Sequence, residues 1–213
     1  MSSLWPDGDV SRAYVELRAR VVALLRDAPS STASREVPHC PNWSVTDLAA
    51  HMLGVPDDIV NGRMEGVASD AWTLAQVERH RDKSLEEIAV ELERVSTSFD
   101  PMLPHFPPMV RSQMVMDAVT HEHDLRHALG VPGARESLAV GAALAWLREW
   151  CKTRAAHSFD AFASGEVSRF DLLRSLTGRR AKSQIEAVGI RADLVEKMLT
   201  GSPLRIPQRE VVE

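Results

Sequence analysis

Apolar residues recur at steps of three and four along most of this chain, and no segment sustains an alternation of apolar and polar positions. Residues 9–27 align Val10, Tyr14, Leu17, Val21, Leu24 and Leu25 along one helical stripe, which Pro29 and a Ser/Thr run close. After "REVPHCPNW", Ser44 is placed to cap a second helix, with Asp47 as an acidic form of the capping box. This second helix should run to about Arg63 and kink at Pro56. A third spans 74–98, with Leu85, Ile88, Leu92, Val95 and Phe99 in register. "DPMLPHFPPM" is too rich in proline for a helix and reads as a crossover. A fourth helix covers 109–129 and ends at Gly130 and Pro132, and a fifth covers 136–156. Weaker helical segments follow at 167–176, 180–188 and 191–200, and the tail "SPLRIPQREVVE" reads as extended. The pattern predicts an all-α protein. Residues 1–130 form a four-helix bundle with one long crossover connection, and residues 131–213 form a helical extension packing on it.

The fourth helix, "MVMDAVTHEHDLRHALG" in its second half, departs from simple amphipathicity. On a wheel at about 100° per residue, Val110, Met114, Leu125 and Ala128 define an apolar face. Asp117, His121 and Asp124 fall on that same face, whereas His123 and His127 point away beside Thr120 and Gln113 and should be solvent-facing. Two carboxylates and an imidazole in a bundle interior are costly unless paired or bound to something. Three readings stay open at this point: a buried hydrogen-bonded network, a water-filled cleft, or a metal site with Asp117 and His121 as an i,i+4 ligand pair. A metal needs a further ligand from another helix. His51 is the candidate, at the edge of the stripe of Leu48, Met52, Val55 and Ile59.

Composition narrows the function classes. With 213 residues, 44% hydrophobic and 26% charged, the chain has the make-up of an ordinary globular protein. A net charge of -5 and the lack of a basic run argue against nucleic-acid binding. "MSSLWPDGDV" lacks the features of a signal peptide, and "LAVGAALAWL" is too short to span a bilayer. Cys40 and Cys151 belong to no CxxC motif, so neither a disulfide framework nor a cysteine zinc site is expected, and Cys40 reads as a packed thiol. A cytoplasmic location follows as the expectation.

The segment "VPHCPNWSVTDLAAHMLG" resembles the tryptophan-led helix entry of the DinB-like superfamily. More closely, it is similar to the N-terminal domain of the mycothiol-dependent maleylpyruvate isomerase family. "DAVTHEHDLRHALG" resembles that family's second motif, with Asp117, His121 and Asp124 at its acid, histidine and aspartate positions. "SRFDLLRSLTGRRAKSQIEAVG" resembles a C-terminal segment of many relatives. The resemblance implies a DinB-like four-helix bundle with crossover topology in which His51, Asp117 and His121 ligate a divalent metal. Zinc is the first expectation, with nickel or ferrous iron accepted by the same donors. Asp124 is implied as a group orienting an imidazole. The chain departs from the family in two ways: Asp117 stands where Glu is usual, and the residues after the bundle read as helices rather than the mixed α/β domain of longer relatives.

The resemblance further implies mycothiol as co-substrate. A thiol held by a divalent cation loses its proton near neutral pH and becomes nucleophilic. The expected activity is thiol addition, isomerisation or transfer on a small electrophile. Arg179, in "GRR", is the candidate contact for an anionic group of thiol or substrate, set against a solvated charge at a helix start. Two alternatives accompany this reading: a non-catalytic helical binding or stress-associated protein with a degenerate metal site, and a hydrolase using metal-bound water. A small electrophile and a low-molecular-weight thiol are the expected partners, with a homodimer possible and no nucleic acid or membrane.

Overall fold

The computed structural model describes residues 2–154, 158–163 and 165–213. Among its described residues the regular secondary structure is all helical, joined by loops and turns that hold two isolated bridges, Glu36 with Ser44 and Ala163 with Ile190. In chain order the helices are α1 (Asp7–Asp27), α2 (Val45–Val60), α3 (Asp70–His80), α4 (Leu85–Phe99), α5 (Pro108–Leu129), α6 (Leu138–Arg154), α7 (Arg169–Leu176), α8 (Lys182–Ala187) and α9 (Ala192–Leu199). Residues 155 and 156, expected in the fifth helix, lie outside the described residues.

Ser44 starts α2 as its sequence predicts. Its hydroxyl accepts from the Asp47 amide and the Asp47 carboxylate accepts from the Ser44 amide at 2.9 Å, satisfying two of the donors a helix start leaves open. Pro56 lies inside α2, which runs on to Val60. The single helix expected over 74–98 is two helices. Ser84 forms a second capping box with Glu87, and this restarts the chain as α4. The proline-rich connection folds as a 3-10 helix, Asp100–His105, before α5 begins at Pro108. Gly130, at φ +72°, ends α5.

The chain divides into two compact units, with the border running through α5 after Thr120. One unit holds residues 14–106 and 121–133. Its core is built by Leu17, Val21 and Leu25 of α1, Leu48 and Leu53 of α2, Ile88 and Phe99 of α4, and Leu125 of α5, all buried. There α2 packs on both α3 and α4. The approach of α2 to α3 depends on Gly54, because a Cβ at that position would lie 2.4 Å from Cβ of Gln76.

The other unit holds residues 1–13, 107–120 and 134–213. The apolar face of α6, including Val140, Ala143 and Leu147, is buried, as are Leu173 of α7 and Val195 of α9. Gly141 leaves the room that the Trp5 indole occupies. The fully buried Arg174 donates to the Thr120 carbonyl at 3.2 Å and pairs with Glu213, so the extended tail is held by α7.

Of the solvent-facing side expected from the wheel of α5, Gln113 is exposed but its companions are not. His123 is only 3% exposed and Thr120 2%, while His127 is half-buried. Conversely Val110, assigned to the apolar face, is exposed. The physical reason is local satisfaction of polar groups, which lets several sides of the helix be covered. Thr120 Oγ1 donates back to the Met116 carbonyl, and the fully buried Glu122 accepts two hydrogen bonds from Arg20 and one from Arg126. No helix among the described residues is long and apolar enough to cross a membrane.

Candidate metal centre

Two imidazoles converge in the unit that contains α2 and the second half of α5. His51 sits on the inward side of α2, 5% exposed, and His121 sits on α5 with its side chain 12% exposed. Their rings meet edge to face with centroids 5.0 Å apart. Trp43, in the loop that enters α2, flanks both, with its ring 5.4 Å from His51 and 6.4 Å from His121.

Asp117 lies one turn before His121. Because α5 is unbroken, the helix itself sets that neighbour relation. Within their own unit His51 and His121 bring together two imidazoles, and paired imidazole nitrogens joined by a carboxylate oxygen are donors that suit a divalent cation of borderline softness.

Each histidine has a carboxylate behind it. Asp124, fully buried, places Oδ2 3.2 Å from His121 Nδ1 and also 3.5 Å from Cys40 Sγ. Cys40, His121 and Asp124 form a second group whose donor atoms lie within 4.8 Å. Behind His51 stands a longer chain. Gln76 Oε1 lies 2.9 Å from His51 Nδ1, and Gln76 Nε2 donates to Asp58 Oδ2 at 3.0 Å. Asp58 Oδ1 accepts from Arg63 Nε and Arg79 Nη1, each at 2.6 Å. Gln76 is fully buried and Asp58 1% exposed.

His80 borders this network, with Nε2 3.5 Å from Asp57, which in turn pairs with Arg63. Burial pushes the His80 pKa below its ordinary value, and the Asp57 charge opposes that shift. The remaining histidines of α5 are placed differently: His127 packs its ring 5.0 Å from that of His39. Arg179 belongs to the other unit, where its Nη1 donates to the Thr177 carbonyl at 2.9 Å. Its neighbour Arg180 is not a solvated charge but pairs with Asp171 and Glu213.

No protein-family model matches the chain, and no curated protein or solved structure matches it.

Sequence reasoning did not single out Gln76, Asp58 or Cys40 as belonging to this centre. Gln76 falls within the helix expected over 74–98, but its position against His51 depends on how α2 packs on α3. The available signal was Gly54, a glycine in a helix interior that is tolerated only where something needs the space.

Proposed function

We propose that this chain is a metal-dependent enzyme in which His51, Asp117 and His121 hold a divalent cation, zinc in the first instance. The observation that carries the reading is the convergence of His51 and His121, from two helices distant in sequence, with centroids 5.0 Å apart. The DinB-like four-helix bundle with crossover topology, and membership of the mycothiol-dependent maleylpyruvate isomerase family, belong to this proposal. They are supported by the motifs around His51 and His121 and by the all-helical chain.

Three protein ligands leave a coordination position open for substrate or thiol. The cation supplies Lewis acidity, which lowers the proton affinity of a thiol so that it reacts near neutral pH. The chain's own residues do the rest. Asp124 faces His121 Nδ1 and orients that ring, while Trp43 flanks the two imidazoles. The proposed reaction is addition of a mycothiol-type thiol to a small electrophile. In the isomerase form, the thiolate sulfur bonds to one carbon of a cis double bond and the electron pair moves to the neighbouring position. The resulting single bond rotates, and expulsion of the same thiolate restores the double bond as trans. In the transferase form the sulfur remains attached and the neighbouring position takes up the proton that the thiol lost, a net addition of thiol across the double bond. Arg179 is the proposed contact for a carboxylate of the thiol or electrophile.

A rate assay on a maleylpyruvate-type cis electrophile tests this. Turnover that requires both metal and mycothiol supports thiol chemistry. Turnover that requires metal but no thiol points to hydrolysis by metal-bound water. No turnover and no metal leave a non-catalytic helical binding protein.

A further inference from the structure

We propose that Gln76 and Asp58 are positioning residues that lock neutral His51 in the Nδ1–H tautomer, making Nε2 its ligating nitrogen. The metal consequence rests on the function proposed above, but the tautomer itself does not.

The argument is one of donors and acceptors. Asp58 Oδ1 already takes two guanidinium hydrogens, from Arg63 and Arg79. A carboxylate so paired is an acceptor only. Gln76 must therefore turn its NH₂ group toward Asp58 Oδ2, 3.0 Å away. That fixes the amide: its oxygen, and not its nitrogen, faces His51 Nδ1 at 2.9 Å. An oxygen in that place calls for a hydrogen on Nδ1. A neutral imidazole has one N–H, so the lone pair lies on Nε2. The reversed amide would set oxygen against carboxylate oxygen and NH₂ against a ring N–H. The site is fully buried, so no bulk solvent is there to relieve either clash.

Packing holds the amide where the argument needs it. Gln76 lies against Gly54, one turn beyond His51 on α2, where a side chain would meet Gln76 Cβ at 2.4 Å and Cγ at 2.6 Å. Asp58 thus fixes the amide and, through it, the orientation of the imidazole.

The test uses the full chain with ¹⁵N-labelled histidine. Long-range ¹H–¹⁵N correlation spectra of the metal-free protein near pH 8 should show His51 protonated at Nδ1. Gln76→Leu, close in volume, should move His51 toward the Nε2–H form that an unconstrained imidazole prefers. The same variant should weaken zinc binding, measured by chelator competition, about 10- to 100-fold. Asp58→Asn, equal in volume, presents an NH₂ to Gln76, so the amide should reverse and His51 should move toward the Nε2–H form, which separates the hydrogen bond from simple packing. An Nε2–H His51 in the wild-type spectrum overturns the proposal, even if no variant folds. So does a Gln76→Leu protein with unchanged tautomer and unchanged zinc affinity. A wild type that shows the predicted tautomer but binds no zinc leaves the positioning role standing and defeats the metal reading alone.

Discussion

His51 and His121 face each other edge to face, their ring centroids 5.0 Å apart, although 69 intervening residues separate them along the chain. Each has an acceptor behind its Nδ1, Gln76 for His51 and Asp124 for His121. Paired imidazoles with such support are the arrangement that metal sites use to orient their ligands. Most of the predictions below follow from this pair and the groups that hold it.

Asp117→Asn should weaken zinc binding by about tenfold or more, because a charged ligand is replaced by a neutral one. His123→Ala and His127→Ala should leave zinc content unchanged. His123→Ala should nevertheless lower the melting temperature, since His123 is only 3% exposed. Metal analysis and thermal melting of the same three preparations check all of these at once.

Gly54→Ala should destabilise the fold by about 1–3 kcal/mol, the usual range for forced overpacking. Alanine is the better helix former, so an ordinary interior glycine would gain from this change. The clash with Gln76, with carbons at 2.4 Å, reverses the sign. Denaturant unfolding reads the result, and a more stable variant would contradict the close α2–α3 approach.

His80 makes stability depend on pH. Its pKa is lowered in the folded chain by burial, with Asp57 opposing. The unfolded chain therefore binds more protons just below its ordinary pKa of about 6.5, so stability rises with pH in that window. This contribution is fully present above about pH 6.5 and is lost as pH falls toward the lowered folded value. His80→Gln should flatten the slope of melting temperature between about pH 7 and pH 5. A wild-type slope retained in the variant would assign the pH dependence to other groups.

Glu122→Ala should cost about 3 kcal/mol, the low end for breaking a buried ion pair. The low end applies because the partner Arg20 is partly exposed, with 26% of its side chain accessible, and can recover water. Chemical denaturation of Glu122→Ala and of the double variant with Arg20→Ala measures the coupling. Simple additivity of the two changes would contradict a direct pair.

The all-helical class was legible in the sequence because apolar spacing and caps are local signals. Ser44 with Asp47, and Gly130 after α5, announced their helix ends directly. The break between α3 and α4 was equally local, in Ser84 and Glu87, but the apolar register of Leu85, Ile88 and Leu92 masked it. The surroundings of α5 were not legible from a wheel. A wheel ranks faces by residue type, whereas the Glu122 carboxylate is buried because guanidinium partners satisfy it. Arg20 is the clearest of these. The same limit applies to the candidate site. Spacing and motif singled out His51, Asp117, His121 and Asp124, but Gln76 and Cys40 reach the imidazoles only through folding of distant segments.

The most direct test of the metal centre is elemental analysis of untagged protein, expressed without added metal and dialysed against metal-free buffer. The account predicts about one equivalent of divalent metal per chain, one ion at the paired histidines, and its loss in both His51→Ala and His121→Ala. A wild-type protein without stoichiometric metal, or variants that retain the wild-type content, would contradict it.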